Sequence, residues 1–173
     1  GLGDVYKRQF LNTVSSAKPK IGNYPFTTLR PHLGTIKGDA SSYVIADIPG
    51  LIEGASDGAG LGIKFLKHIS RTGILLIFVD LLSLDNINPV EQIKLLKKEL
   101  DTFKDNLTQK VSWVVCNKID LIDQGKIDAI RKQIQTSMNI SSSDIYFISA
   151  ATGKGTKSLL KLLETEVIEY RKN

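Results

Sequence analysis

Apolar residues along this chain fall into two alternating patterns. Short unbroken runs at 43–46, 74–79, 111–116 and 145–148 suit strands covered on both faces. Between and around them, apolar residues return at helical spacing. The sets are Phe10, Leu11, Val14 and Ala17; then Ile63, Phe65, Leu66 and Ile69; then Leu95, Leu96, Leu100 and Phe103 on one stripe. Ile127, Ile130, Ile134 and Met138 follow, and Leu159, Leu163 and Val167 mark a terminal helix. Pro19 closes the first helix, and residues 20–32, with Gly22, Asn23, Pro25 and Pro31, read as a long exposed loop. Segments 34–37 and 43–47 read as a hairpin joined through 38–41. Glycines at 50, 54, 58, 60 and 62 suit a mobile loop. Strands alternating with helices predict parallel βαβ units with right-handed crossovers, a fold that binds ligands beyond the carboxyl ends of its strands.

Composition narrows the class only a little. The 173 residues favour one domain, and 42% hydrophobic with 24% charged residues is globular. No apolar run reaches membrane-spanning length, and no export signal opens the chain. The single cysteine, Cys116, excludes an internal disulfide and a cysteine-rich zinc site, so a reducing cytoplasm is expected. A net charge of +5 suits an RNA-rich partner and a lysine-rich solvated surface equally well.

The chemistry-bearing residues lie at strand ends. Asp47 closes one strand and Ile48-Pro49-Gly50 follows; the carboxylate can reach a hydrated metal ion, and Gly50 lets a backbone N–H approach a phosphate. Alone, this stretch also makes an ordinary turn. Asn117-Lys118-Ile119-Asp120 follows Cys116. A carboxylate at Asp120 can accept hydrogen bonds from N1–H and the 2-amino group of guanine, donors that adenine lacks. Asn117 would brace the loop, and the Lys118 stem can lie along the base plane; a polar loop with Asp120 as a helix cap fits the same residues. Ser149-Ala150, with Ala151 next, follows Ile148, where the Ala150 N–H could bond guanine O6. Thr28, in the Phe26-Thr27-Thr28-Leu29-Arg30 stretch, offers a hard hydroxyl for Mg²⁺ and an N–H for a γ-phosphate. In chain order these sites describe a guanine-nucleotide pocket.

The chain resembles the Obg family of GTPases. The residues that carry the resemblance are Ser16-Ala17-Lys18-Pro19-Lys20-Ile21, Tyr24-Pro25-Phe26-Thr27-Thr28-Leu29 and Asp47-Ile48-Pro49-Gly50-Leu51-Ile52-Glu53-Gly54-Ala55. Gly58, Gly60-Leu61-Gly62 and Phe65-Leu66, with His68, Ile69 and Arg71, extend it. The resemblance implies an α/β, P-loop NTPase-type (Ras-like) G domain, a three-layer αβα fold with a mostly parallel sheet. It implies GTP and GDP as ligands, Mg²⁺ held by Thr28 and, through water, by Asp47, and potassium as a further ion. It implies a monomeric cytoplasmic switch that works with the large ribosomal subunit and its rRNA. His68 is expected to pack a helix. Leu51 stands where many GTPases carry a water-orienting glutamine, so slow intrinsic hydrolysis is expected, accelerated by a partner or an ion.

The chain departs from that family at its start. Residues 1–9 contain DVYKRQ, which looks like a translated sequencing-adapter end, so the domain is expected over 10–173 and the preceding nine residues are set aside as a non-native scar, with a real but unusual N-terminal strand or tail as the alternative. Counting back from Leu11 places Gly1, Tyr6, Lys7 and Arg8 at the positions of the family's Gly-x-x-x-x-Gly-Lys-Ser loop, where only Gly1 and Lys7 agree. Tyr6 brings a ring where backbone should wrap phosphate, and Arg8 cannot ligate Mg²⁺. The fold is therefore expected to be N-terminally truncated, without its first strand and phosphate loop. That strand would lie between those ending at Asp47 and Asp80, leaving two inner edges exposed or forced to pair. A non-catalytic ribosome-binding module that has lost phosphate binding is the alternative to an impaired GTPase.

Overall fold

The computed structural model describes residues 2–22, 30–47, 72–83, 86–101 and 112–172. Helix α1 spans Leu2–Val14, followed by strands β1 (Lys20–Ile21), β2 (His32–Lys37) and β3 (Ser42–Asp47). Strand β4 (Leu75–Asp80), helix α2 (Pro89–Asp101), strand β5 (Ser112–Asn117), helix α3 (Gln124–Met138), strand β6 (Ile145–Ile148) and helix α4 (Thr156–Tyr170) complete the order. The expected helix with Ile63, Phe65, Leu66 and Ile69 falls outside the described residues.

The strands form two three-stranded sheets, β1-β2-β3 antiparallel and β4-β5-β6 parallel. Among the described residues, β3 pairs only with β2 and β4 only with β5. Of the two outcomes expected for these inner edges, direct pairing is not the one adopted.

The parallel sheet is covered on both faces, as its unbroken apolar runs require. Ile77, Val79, Val114 and Cys116 point to one side, into a core shared with Val90 and Ile93 of α2 and Ile127 and Ile134 of α3. The intervening Phe78, Trp113 and Val115 face Phe10 of α1, Leu159 and Leu163 of α4, and Ile36 and Tyr43 of the hairpin. The second core therefore spans both sheets and joins them by packing instead of backbone hydrogen bonds. The result is a three-layer αβα arrangement around the parallel sheet.

Three sequence expectations shift. Helix α1 starts at Leu2 rather than Phe10 and ends at Val14, before Ala17. Tyr6 stacks on Phe78 at 6.2 Å and Phe10 lies 4.9 Å from the same ring, so residues before Phe10 take part in the packing. The 20–32 stretch contains β1, whose Lys20 and Ile21 pair with Leu33 and His32, and Pro31 is fully buried. In α2 the buried stripe is Val90, Ile93 and Leu100, with Leu96 partly buried; Leu95 is exposed and Phe103 lies outside the described residues.

Candidate functional site

Parallel register brings the candidate residues to one edge. Asp80 at the end of β4 sits opposite Asn117 at the end of β5, and Asn117 opposite Ile148 at the end of β6. Leu81 donates its N–H to the Asn117 carbonyl at 3.2 Å, closing the edge. The turn after Ile148 therefore lies beside the loop after Asn117.

Asn117 is buried, and its Oδ1 accepts the Ala150 N–H at 2.9 Å. The bond ties the turn after β6 to the loop after β5, and it engages the same Ala150 N–H that the sequence reading assigns to guanine O6. The next amide belongs to Ala151, which is exposed and has no hydrogen-bond partner among the described residues. Ser149 is fully buried; its Oγ accepts the Thr152 N–H at 3.1 Å and its N–H donates to the Lys154 carbonyl at 2.9 Å. Gly155, at φ +77°, lets this turn close: a Cβ there would meet the Phe147 carbonyl oxygen at 2.6 Å.

Lys118 adopts a left-handed conformation, φ +78°, ahead of the short 3₁₀ turn Ile119–Leu121. Its ammonium is 2.7 Å from Asp80 Oδ2 and also donates to the Leu82 carbonyl at 3.3 Å. Asp80 Oδ1 accepts the Leu82 N–H at 2.9 Å, and Gln92 of α2 bonds both the N–H and the carbonyl of Asp80. Asp80 thus anchors Lys118. The sequence marked it only as a strand end, although a carboxylate in that position was the available signal. Ile119 is buried beneath the turn. Asp120, by contrast, is exposed and pairs with nothing among the described residues, so its carboxylate is free to accept donors from a ligand. The helix cap next along is Asp123, whose carboxylate accepts the Lys126 N–H at 2.9 Å; that removes the capping explanation for Asp120.

Asp47 closes β3 with its side chain only 3% exposed. Neither carboxylate oxygen accepts a hydrogen bond among the described residues. Lys7 Nζ lies 3.1 Å from Oδ1 and Arg8 Nε 4.0 Å from Oδ2, both reaching down from α1. His32, opposite Asp47 in the hairpin register, also has a buried Nδ1 without a partner among the described residues. An open cavity of about 650 Å³ runs along α1 past Val5, Arg8, Gln9, Asn12 and Thr13. Arg8 reaches Asp47 at one end of it, and Thr13 Oγ1 donates to the Ala150 carbonyl at 3.4 Å at the other. Arg30 is exposed; Phe26, Thr27, Thr28, Leu29, Ile48, Pro49 and Gly50 lie outside the described residues, as do Leu51, His68 and Arg71. Burial pushes the Cys116 thiol up to about 12, which makes it an inert core residue.

These strand-end loops over a parallel sheet define a G-domain fold. The G domain of the T. maritima FeoB iron transporter superposes with a TM-score of 0.61 at 21% identity, over 97% of this chain and 92% of that one. Aquifex aeolicus Era bound to GDP and AlF4⁻ gives 0.65 at 22% identity, and Era in complex with MgGDPNP and 16S rRNA nucleotides gives 0.65 at 23%. Each Era comparison covers 92% of this chain and 52% of the Era chain. Residues 1–118 match the 50S ribosome-binding GTPase family, and the chain belongs to that family.

Domains of this fold bind GTP or GDP, typically with Mg²⁺. A magnesium ion requires oxygen ligands in near-octahedral geometry. Asp47 could supply one, but Lys7 and Arg8 stand against it and offer no lone pair. The described donors therefore do not fit a divalent ion. No group of three or more His, Cys, Asp or Glu among the described residues could hold a metal, and no described helix is long and apolar enough to cross a membrane.

Proposed function

We propose that this chain is the guanine-nucleotide-binding G domain of an Obg-type GTPase. The observation that carries the reading is the Asn117–Ala150 hydrogen bond, which locks two loops together while Asp120 stays exposed beside them, unpaired among the described residues. Asp120 selects guanine through N1–H and the 2-amino group, the Ala151 N–H takes the O6 role, and Lys118 is held in place by Asp80. Thr28, Gly50 and their neighbours Phe26, Thr27, Leu29, Arg30, Ile48 and Pro49 serve the phosphate side. In the complete protein the reaction is attack of water on the γ-phosphate. Leu51 cannot orient that water, so hydrolysis is slow until a partner or potassium assists. The partner is the large ribosomal subunit and its rRNA, met in the cytoplasm. The family description and the RNA-bound Era support a ribosomal partner.

The test is equilibrium binding of fluorescent GDP and ADP to the purified chain. A preference for GDP of a hundredfold or more supports the reading; equal binding of the two removes it. A second reading, a ribosome-binding module without phosphate chemistry, is favoured by one observation: Asp47 already has cationic partners from within the protein.

A further inference from the structure

We propose that in this chain Lys7 and Arg8, although they fall in the stretch the sequence reading sets aside as a scar, form a counter-cation for Asp47 that takes the place of a divalent metal. The proposal rests on the nucleotide reading above only where it concerns nucleotide affinity. Asp47 is a buried carboxylate without a hydrogen bond among the described residues, so its charge calls for another partner. Lys7 at 3.1 Å and Arg8 at 4.0 Å are what meets it. The backbone that carries both side chains is held by packing. One residue earlier Tyr6 stacks on Phe78, and four residues after Tyr6 Phe10 packs on the same ring, which fixes the rotation of α1. With that rotation set, Lys7 and Arg8 are directed at the end of β3. A divalent ion entering at Asp47 would have to displace the ammonium and sit beside a guanidinium that cannot ligate it. Charge neutralisation at this strand end is thus internal, and nucleotide should bind equally well with and without magnesium.

The experiment titrates the whole chain with Mn²⁺, followed by electron paramagnetic resonance without nucleotide, in the wild type, D47N, the K7Q/R8S double variant and the K7Q/R8S/D47N triple variant. The wild type and D47N should bind Mn²⁺ indistinguishably, whereas K7Q/R8S should gain at least tenfold in affinity, a gain the triple variant loses. Wild type binding as tightly as K7Q/R8S, or a drop on D47N alone, overturns the proposal. If circular dichroism shows K7Q/R8S unfolded, the wild type and D47N pair decides, since D47N leaves no buried charge to satisfy. In parallel, the affinity for fluorescent GMPPNP should change less than twofold between Mg²⁺ and EDTA; a tenfold loss in EDTA counts against the proposal. If no guanine nucleotide binds in either condition, the proposed function fails while the Mn²⁺ comparison still decides the counter-cation.

Discussion

Asn117 is the side chain on which the base half of the site turns. Its amide oxygen holds the Ala150 N–H from inside the protein, where no water can replace it. Truncation in N117A leaves that N–H unsatisfied, which should cost about 1–3 kcal/mol in urea denaturation, with a larger fractional loss of nucleotide binding. A variant as stable as wild type would remove Asn117 from this role. Gly155 carries the same turn through backbone geometry: G155A meets the Phe147 carbonyl and a positive φ together, and should lose about 2 kcal/mol or more. The pair of loops was legible as Asn-Lys-x-Asp and Ser-Ala, because side-chain types and spacing carry it. The sequence assigns the Ala150 N–H to the base, but its hydrogen bond to Asn117 was not legible, since the spacing of two distant loops does not say which of their groups bond to each other. Lys7 falls in the stretch set aside as a scar, so nothing in the sequence points it at Asp47; the helix that does so starts at Leu2.

Helix α4 ties the hairpin to the rest of the molecule. Glu164 is buried and accepts three backbone N–H bonds, from Asp39, Ala40 and Ser41, at 3.0, 2.7 and 2.7 Å. Tyr43 donates its hydroxyl to the Leu160 carbonyl at 2.8 Å, and Arg171 donates to Ser41 Oγ and the Ser42 carbonyl. The amide donors hold the Glu164 carboxyl below its ordinary value of 4.5. A depressed carboxylate contributes stability at pH values above its unfolded value and loses it as pH falls through the folded one. Stability should therefore drop below about pH 4.5 more steeply in wild type than in E164Q, read from melting temperatures across pH 3 to 7. Parallel acid profiles for the two proteins would contradict this. None of this contact was readable beforehand, because a glutamate on a helix with an amphipathic stripe looks solvated until the hairpin tip is placed over it. The strands, in contrast, were read nearly to their ends, since unbroken apolar runs have few other uses. The α2 stripe was misassigned because Leu95, Leu96 and Leu100 offer two overlapping helical faces, and packing against α3 chose the one with Ile93.

At the scale of the molecule, two sheets share a core without sharing a ladder. β3 and β4 each keep one edge without a strand partner among the described residues, and such edges invite association. The purified chain should self-associate as concentration rises, measured by light scattering; a monodisperse monomer at high concentration would contradict that. With Tyr6 and Arg8 at phosphate-loop positions, guanine nucleotide should bind in the tens of micromolar or weaker. The central claim is that loops along one edge of the parallel sheet hold a guanine base selected by Asp120. Its most direct test is the ratio of GDP to XDP affinity in wild type and D120N. The account predicts that the ratio shifts toward XDP by a hundredfold or more; an unchanged ratio would contradict it.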